Sequence, residues 1–145
     1  MLPEIRRAEP GERDSIIRFY QRFSYTGQVS NDAVIFVAEL DGEIVGLLRL
    51  ELEFGVTVLR GMRILQEYQR QGIGTKLLRV VADHLGTEPC FCVPYSHLTG
   101  FYGQIGFAEL PVNRAPGHLL ERVTEYRARG LDVLLMVRKP PLSIG

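Results

Sequence analysis

The chain has 145 residues, of which 46% are apolar, 9% aromatic and 23% charged. This composition predicts one globular domain over residues 1–145 and excludes an intrinsically disordered chain. The 17 Lys and Arg residues balance the 17 Asp and Glu residues, so the formal net charge is zero. A neutral chain is poorly suited to non-specific binding of nucleic acid or of an anionic membrane, and we expect neither partner.

The N-terminal residues lack the apolar segment of a secretion signal. The longest apolar runs, 34–38 and 133–137, are far shorter than the ~20 residues that a membrane-spanning helix needs. Cys90 and Cys92 are separated by one residue, which fits neither a disulfide framework nor a zinc or redox motif. The sequence therefore predicts a protein of the reducing cytoplasm.

The hydropathy pattern predicts secondary-structure elements in the order βαβββαβαβαβ. Strands are expected at residues 4–7, 34–40, 43–52, 56–65, 90–93, 107–110 and 131–138, and helices at 11–23, 73–85, 96–105 and 118–129. Asp41 and Gly42 supply the positive φ angles of a two-residue hairpin between the second and third strands. The predicted fold class is α/β (α+β), with a mixed, mostly antiparallel central sheet of about seven strands flanked by helices.

A glycine-bearing loop joins the fourth strand to the second helix. Such a loop binds phosphate because its free N–H groups and the helix dipole point at the same place. Leu77 stands where G-x-G-x-x-G needs its third glycine, and no glycine stands five residues before Gly74 to complete a P-loop. What fits is Q-x-x-G-x-G at residues 69–74, which resembles the acetyl-CoA-binding motif of the GNAT superfamily of N-acetyltransferases.

A second element of that family follows at the expected distance. Residues 102–107 match Y-x-x-x-G-F, which begins at Tyr102 and ends at Phe107. The order of predicted elements from about residue 5 to residue 110 is also similar to that of the family. The resemblance thus covers roughly three quarters of the chain.

The resemblance implies a GNAT-like acyl-CoA N-acyltransferase fold and an enzyme that uses acetyl-CoA as its co-substrate. Acetyl would pass to a primary amine by direct attack in a ternary complex. Backbone groups along one strand would face pantetheine, and the N–H groups of residues 69–75 would surround the pyrophosphate. Arg70 and Lys76 are expected at the outer phosphates, with a role as solvated surface charges left open. The cofactor-binding residues so implied are Met62, Arg63, Ile64, Gln69, Arg70, Gln71, Gly72, Ile73, Gly74, Thr75 and Lys76.

The resemblance also implies that Tyr102 protonates the departing thiolate, with simple packing between helix and sheet as the alternative. The attacking amine must lose a proton, because the pKa of a free alkylamine is about 10.4. Some family members carry a base on the fourth strand, but residues 56–65 contain no acid. Glu51 and Glu53 share a strand face with Arg49. They are candidate bases, directly or through water, and an ordinary solvated face is the alternative.

Several alternatives stay open at this point. Cys90 and Cys92 fall on one strand face, where core packing is expected and an acyl-cysteine is the alternative. The histidines show no metal-ligand spacing, so no metal is expected. Tyr95 replaces the Asn that many family members have before the Tyr102 helix. The segment 112–129 contains an amphipathic helix that either covers the acceptor site or packs on the sheet or on a second subunit.

The missing strand-four carboxylate motivates a second functional hypothesis, a non-catalytic acyl-CoA-binding sensor or subunit. The acceptor stays open among a small amine, a peptide N-terminus and a protein lysine, because variable loops form such pockets. The chain is expected to be a monomer or a homodimer.

Overall fold

The elements follow one another in the predicted order, βαβββαβαβαβ. A computed structural model describes residues 2–25 and 27–139 of the chain. Its strands are β1 Glu4–Arg7, β2 Val34–Leu40, β3 Glu43–Glu53, β4 Val56–Ile64, β5 Cys90–Cys92, β6 Phe107–Glu109 and β7 Met136–Arg138, and its helices are α1 Arg13–Gln21, α2 Ile73–Leu85, α3 Thr99–Gly103 and α4 Gly117–Ala128. None of the helices within these ranges combines the length and the apolar character that a bilayer span requires.

The strands form one seven-stranded sheet in the order β1-β2-β3-β4-β5-β7-β6. Neighbouring strands are antiparallel, except that β4 and β5 run parallel. The predicted mixed, mostly antiparallel sheet is therefore confirmed. The parallel pair is joined at one register, Val58 opposite Phe91, and β5 ends one residue later. Beyond this point β4 and β5 diverge, and the sheet is open at its centre.

Two tight turns set the register of the central strands. Asp41 and Gly42 have φ angles of 51° and 81°, as expected for a two-residue hairpin. Phe54 and Gly55 repeat this geometry between β3 and β4, with φ angles of 50° and 83°. β4 then bends near Gly61, whose φ is 65°, where the register with β3 shifts in a β-bulge. The bulge redirects the second half of β4 away from β5.

Helices cover both faces of the sheet. The larger core cluster includes Leu77 of α2, whereas the smaller one includes Leu119 and Val123 of α4. Val58 belongs to the smaller cluster and its neighbour Leu59 to the larger. Because successive side chains of a strand point to opposite faces, the two clusters lie on opposite sides of the sheet. The apolar stripe of α4 thus packs on the sheet.

Two elements are shorter than the sequence predicts. A final strand is expected over residues 131–138, but only Met136–Arg138 forms a regular ladder. The preceding residues bond to loops instead, as in the bond from Leu134 N–H to the carbonyl of Pro94 at 3.1 Å. The helix expected over 96–105 divides into a 3-10 turn and the five-residue α3. Two glycines within it lower its helix propensity.

Candidate active site

The divergence of β4 from β5 opens a cleft of about 900 Å³. Its walls come from β4, from the loop before α2, from α3 and from α4. Along this wall β4 has no neighbouring strand on the β5 side. Its free backbone groups can therefore pair with an extended ligand, as in other proteins that accept an added strand.

The loop before α2 carries a row of unpaired N–H groups. Within the described chain, no acceptor bonds the N–H groups of residues 70–75. The first intrahelical bond of α2 runs from Lys76 N–H to the carbonyl of Gly72 at 3.1 Å, so the amides before it stay free. Gly72 adopts a φ of 83° at the N-cap of α2. These amides and the positive end of the helix dipole together form a site for an anion.

Gly74 stands where the first turn of α2 approaches α3 and β4. A Cβ at this position would lie 2.9 Å from Cζ of Phe101 and 3.4 Å from Cδ1 of Ile64. The side chain of Gln69 is tied back to β4, because its Nε2 donates to the carbonyl of Ile64 at 3.0 Å. The absence of a side chain at Gly74 therefore keeps the loop amides close to the end of β4.

Most of the residues expected to bind the cofactor are found together on the cleft wall. The ones that line it are Met62, Arg63, Ile64, Gln69, Arg70, Gly72, Ile73, Gly74 and Thr75. Gln71 and Lys76 do not line it. The side chain of Gln71 instead donates to the carbonyl of Glu67 at 3.1 Å.

Tyr102 lies on α3 with 6% of its surface exposed and lines the cleft. Its ring packs edge-on against Phe101 and Phe107, with centroids 5.0 and 5.9 Å apart. No group in the described chain forms a hydrogen bond with its hydroxyl. Burial raises the pKa of Tyr102 above its ordinary value. The hydroxyl is therefore a protonated donor without a protein acceptor, held at the cleft by its packed ring.

Arg49 and Glu51 are buried together. The Nε of Arg49 donates to Oε2 of Glu51 at 2.7 Å, and its Nη atoms donate to the hydroxyls of Tyr20 at 3.2 Å and Tyr25 at 2.8 Å. Ser30 donates to Glu51 from both its N–H and its hydroxyl. Burial opposes ionisation of Glu51, but the bonds from Ser30 and Arg49 hold its pKa below the usual value. The solvated-face interpretation is wrong for Arg49 and Glu51, because the loop between α1 and β2 folds over them.

Glu53 is held by cations from two elements. Its Oε1 accepts from Nη2 of Arg122 at 2.8 Å and lies 3.1 Å from Nε2 of His118. Its Oε2 lies 3.3 Å from Nη1 of Arg60. Arg60 and Arg122 line the cleft, whereas Glu53 and Glu51 do not. The structure thus brings neither candidate carboxylate to the wall on which Tyr102 lies.

Residues 31–109 match the family described as the acetyltransferase (GNAT) domain. This chain belongs to the GNAT family. An N-alpha-acetyltransferase from Sulfurisphaera tokodaii is 30% identical over 124 residues, which cover 72% of this chain and 68% of the relative. The predicted family and the predicted enzyme class, an acyltransferase, are confirmed.

Solved structures show that the GNAT fold extends over nearly the whole chain. The ribosomal-protein-S18-alanine N-acetyltransferase of Escherichia coli has a TM-score of 0.71 at 17% identity, with 99% of this chain and 97% of that chain covered. The N-acetylglutamate synthase of Neisseria gonorrhoeae, solved with coenzyme A and N-acetyl-glutamate, has a TM-score of 0.67 at 19% identity. That match covers 98% of this chain and 36% of the synthase, so the chain spans about a third of its length. At sequence identities this low, structural similarity shows a shared fold and nothing more. The predicted GNAT fold is confirmed.

The cleft of this GNAT enzyme is lined by arginines that the sequence analysis did not single out. Arg60 comes from β4, Arg122 and Tyr126 come from α4, and Arg129 is the C-cap residue of that helix. Arg122, Tyr126 and Arg129 are spaced by four and three positions, so they fall on one side of the helix. The spacing alone predicts that these residues share a helix face. Whether that face lines the cleft depends on where α4 crosses the sheet, which the periodicity of the sequence does not specify.

The two cysteines of the GNAT enzyme are buried, free thiols on β5. Burial raises the pKa of Cys90 to about 12 and that of Cys92 well above its usual value. A protonated thiol is a poor nucleophile, so the burial favours packing over an acyl-cysteine. Among residues 2–25 and 27–139, no three His, Cys, Asp or Glu side chains cluster as metal ligands would.

Proposed function

We propose that this protein transfers the acetyl group of acetyl-CoA to a primary amine by direct attack within a ternary complex. The observation that carries the proposal is the row of free N–H groups at residues 70–75, beside the open edge of β4. A pyrophosphate fits a row of free amides at a helix N-terminus. An amide-bearing pantetheine arm fits an unpaired strand edge.

The donor lies extended along the cleft. Backbone groups of Met62 and Ile64 pair with the pantetheine amides, and Arg63 stands between them on the same strand. The N–H groups of Arg70, Gln71, Gly72, Ile73, Gly74 and Thr75 surround the pyrophosphate. The N–H group of Gln69, which the sequence analysis included, is instead bonded to the carbonyl of Gln66 at 3.2 Å. The side chains of Arg70 and Lys76 extend toward the outer phosphates, where their charge favours binding.

Tyr102 is the general acid. The amine nitrogen attacks the thioester carbonyl carbon, and the C–S bond breaks with its electron pair on sulfur. The Tyr102 hydroxyl gives its proton to that thiolate, while the proton of the amine leaves through water. The unpaired hydroxyl of this buried tyrosine supports the role, because no protein acceptor competes for its proton.

The proton of the amine has no carboxylate acceptor on the cleft wall. Glu53 accepts it through water, since this carboxylate lies directly behind two residues of the cleft wall, Arg60 and Arg122. Glu51 acts as a positioning residue that fixes Arg49 and the loop between α1 and β2. Neither glutamate touches the reacting atoms in this mechanism.

The name of a similar protein favours an α-amine as the acceptor group. The similar protein of Sulfurisphaera tokodaii carries the name N-alpha-acetyltransferase. Family membership supports an enzyme over a non-catalytic acyl-CoA-binding module.

Calorimetric titration with acetyl-CoA tests the donor site. We expect micromolar binding to the wild-type protein and strong weakening in Gly74→Asp, because an acid there would crowd Phe101 and repel the pyrophosphate. Gly11→Asp is the control, since a side chain at Gly11 would meet no atom within 4 Å. Equal affinities of the two variants would contradict the site. Steady release of CoA thiol that depends on an added amine then tests the transfer.

A further inference from the structure

The charges along the cleft all have one sign. The charged residues that line it are Arg60, Arg63, Arg70, Arg122 and Arg129, and no Asp, Glu, His or Lys of the described ranges joins them. The chain as a whole is neutral, with 17 basic and 17 acidic residues. Positive charge is therefore concentrated along the cleft, and the cleft should attract an anionic ligand.

Part of this charge lies away from the loop that receives the pyrophosphate. Arg60 is four residues before the end of β4, Arg122 lies on α4, and Arg129 is the C-cap residue of that helix. One carboxylate, Glu53, is shared by Arg60, Arg122 and His118. A single negative charge between two guanidinium groups leaves a net positive charge there.

Arg129 lies at the C-cap of the same helix. Its guanidinium lies 5.9 Å from the ring centroid of Tyr126 and pairs with Glu125. That ion pair is exposed, with about 60% of each side chain accessible, so solvent screens both of its charges. The charge of this part of the cleft therefore comes mainly from Arg60 and Arg122.

Arg122 has an unused donor. Its Nη1 atom is buried and has no hydrogen-bond partner, and it is the one such side-chain atom in the described part of the chain. Buried polar groups in folded proteins are nearly always paired, and a lone donor costs free energy until an acceptor arrives. Arg122 also lines the cleft, so a turn of its guanidinium would present this donor to the acceptor atom of a ligand there.

We infer that the acceptor is an amine that carries a carboxylate close to its amino group, and that Arg122 and Arg60 bind this carboxylate. The inference rests on the proposed acetyl transfer and specifies its substrate class. A guanidinium matches a carboxylate with two parallel hydrogen bonds, which gives orientation as well as affinity. A polyamine or a lysine-rich segment would meet charge of its own sign in this cleft, and the site excludes it.

Two kinds of acceptor carry a carboxylate close to the amino group. One is a free amino acid, and the other is a peptide whose N-terminal amine lies beside an acidic side chain. Matched acceptor pairs test both. The pairs are L-alanine with L-alaninamide, L-glutamate with L-glutamine, and the amidated tripeptide Ala-Glu-Ala with Ala-Gln-Ala. We expect the acid of at least one pair to exceed its partner in kcat/KM by roughly tenfold or more, mainly through KM. A preference among the free amino acids identifies the first source, and one confined to the peptides identifies the second.

Variants then assign the preference to its residues. Arg122→Gln should raise KM for L-alanine or the Glu peptide several-fold more than KM for L-alaninamide or the Gln peptide. Glu53 keeps Arg60 and His118 as partners in this variant, which supports folding. Arg122→Lys should restore part of the preference, because it keeps the charge and loses the two-pronged geometry. Arg79→Gln is the control, since Arg79 is an exposed residue of α2 that does not line the cleft.

Equal use of acids and amides in all three pairs would overturn the inference and leave acetyl transfer intact. So would a preference that survives both Arg122→Gln and Arg60→Gln. If acetyl-CoA binds and no amine is acetylated, the proposed function fails instead. Calorimetry of the CoA-saturated protein then decides the inference, with L-alanine against L-alaninamide and with the amidated Ala-Glu-Ala against Ala-Gln-Ala. Equal binding within both pairs overturns it, and selective binding of the acid in either pair supports it.

Discussion

The guanidinium of Arg49 fills the space beside Gly61 in which a side chain would otherwise lie. A Cβ on Gly61 would overlap Nη1 of Arg49 and the hydroxyl oxygen of Tyr20, and it would lie 2.9 Å from Cζ of Tyr20. Gly61 also has a φ of 65°, which glycine adopts at low cost. The Tyr20 hydroxyl donates to the Gly61 carbonyl at 2.8 Å. Side chains of β3 and α1, namely Arg49 and Tyr20, thus pack together against the bulge of β4.

Gly61→Ala should lower the free energy of unfolding by about 2–4 kcal/mol, because strain at positive φ adds to overpacking in a buried site. Gly55→Ala is a matched control, since Gly55 has a φ of 83° and open space around it. It should lose only about 1–2 kcal/mol, the strain alone. Chemical denaturation compares the two variants. Equal losses would show that contact with Arg49 and Tyr20 contributes nothing.

How much of this could be predicted from the sequence differs between local and long-range features. The turn at Asp41 and the helix that begins near Gly72 follow from short-range backbone preferences, so their positions were predictable. The alternation of Arg49 with Glu51 correctly placed them on one strand face. What covers that face depends on a loop some twenty residues earlier, and no local pattern encodes its path. For the same reason, Arg122 was not recognised as a cleft residue.

Tyr102→Phe should reduce kcat by about a hundredfold or more, the usual size of a general-acid contribution. Acetyl-CoA affinity should stay nearly constant, because the ring and its packing against Phe101 and Phe107 remain. Steady-state kinetics and calorimetry measure the two quantities. Burial raises the pKa of Tyr102 above the ordinary value of about 10, so this group should cause no alkaline loss of kcat below that pH. An unchanged kcat in Tyr102→Phe would remove the acid role.

Glu51 should make the fold sensitive to acid. Its pKa is lower in the folded protein than in the unfolded chain, where it is about 4.3. The stabilisation is therefore complete above that pH and is lost as the pH falls through the folded pKa. Denaturation of the wild type at several pH values below about 5 should show this loss.

Glu51→Gln tests that assignment. At neutral pH it should lose about 3 kcal/mol, because it leaves the buried charge of Arg49 without its carboxylate. Its stability should then fall less steeply than that of the wild type as the pH decreases. Glu43→Gln, at an exposed position, serves as the control and should follow the wild-type profile. A parallel profile for Glu51→Gln would contradict the role of this carboxylate.

Cys92→Ala should retain most of its kcat, although Cys92 lines the cleft. The buried thiol has a raised pKa, so it supplies almost no thiolate for a covalent intermediate. Intact-mass measurement during turnover should find no acetylated protein. Cys90→Ala is a matched control from the same strand, and both variants should be somewhat less stable because each leaves a small cavity. Trapping of acetyl on Cys92 would replace direct transfer with a two-step route.

The single backbone pair between Val58 and Phe91 divides the sheet into a block of four strands and a block of three. A donor that pairs with β4 would act as a further strand shared by both blocks. Because a ligand that binds only the folded state stabilises it, saturation with CoA should slow amide hydrogen exchange in β4 and β5 more than at the outer strand β1. The cofactor would then complete the sheet, because the gap that admits it lies where the two blocks share a single backbone pair.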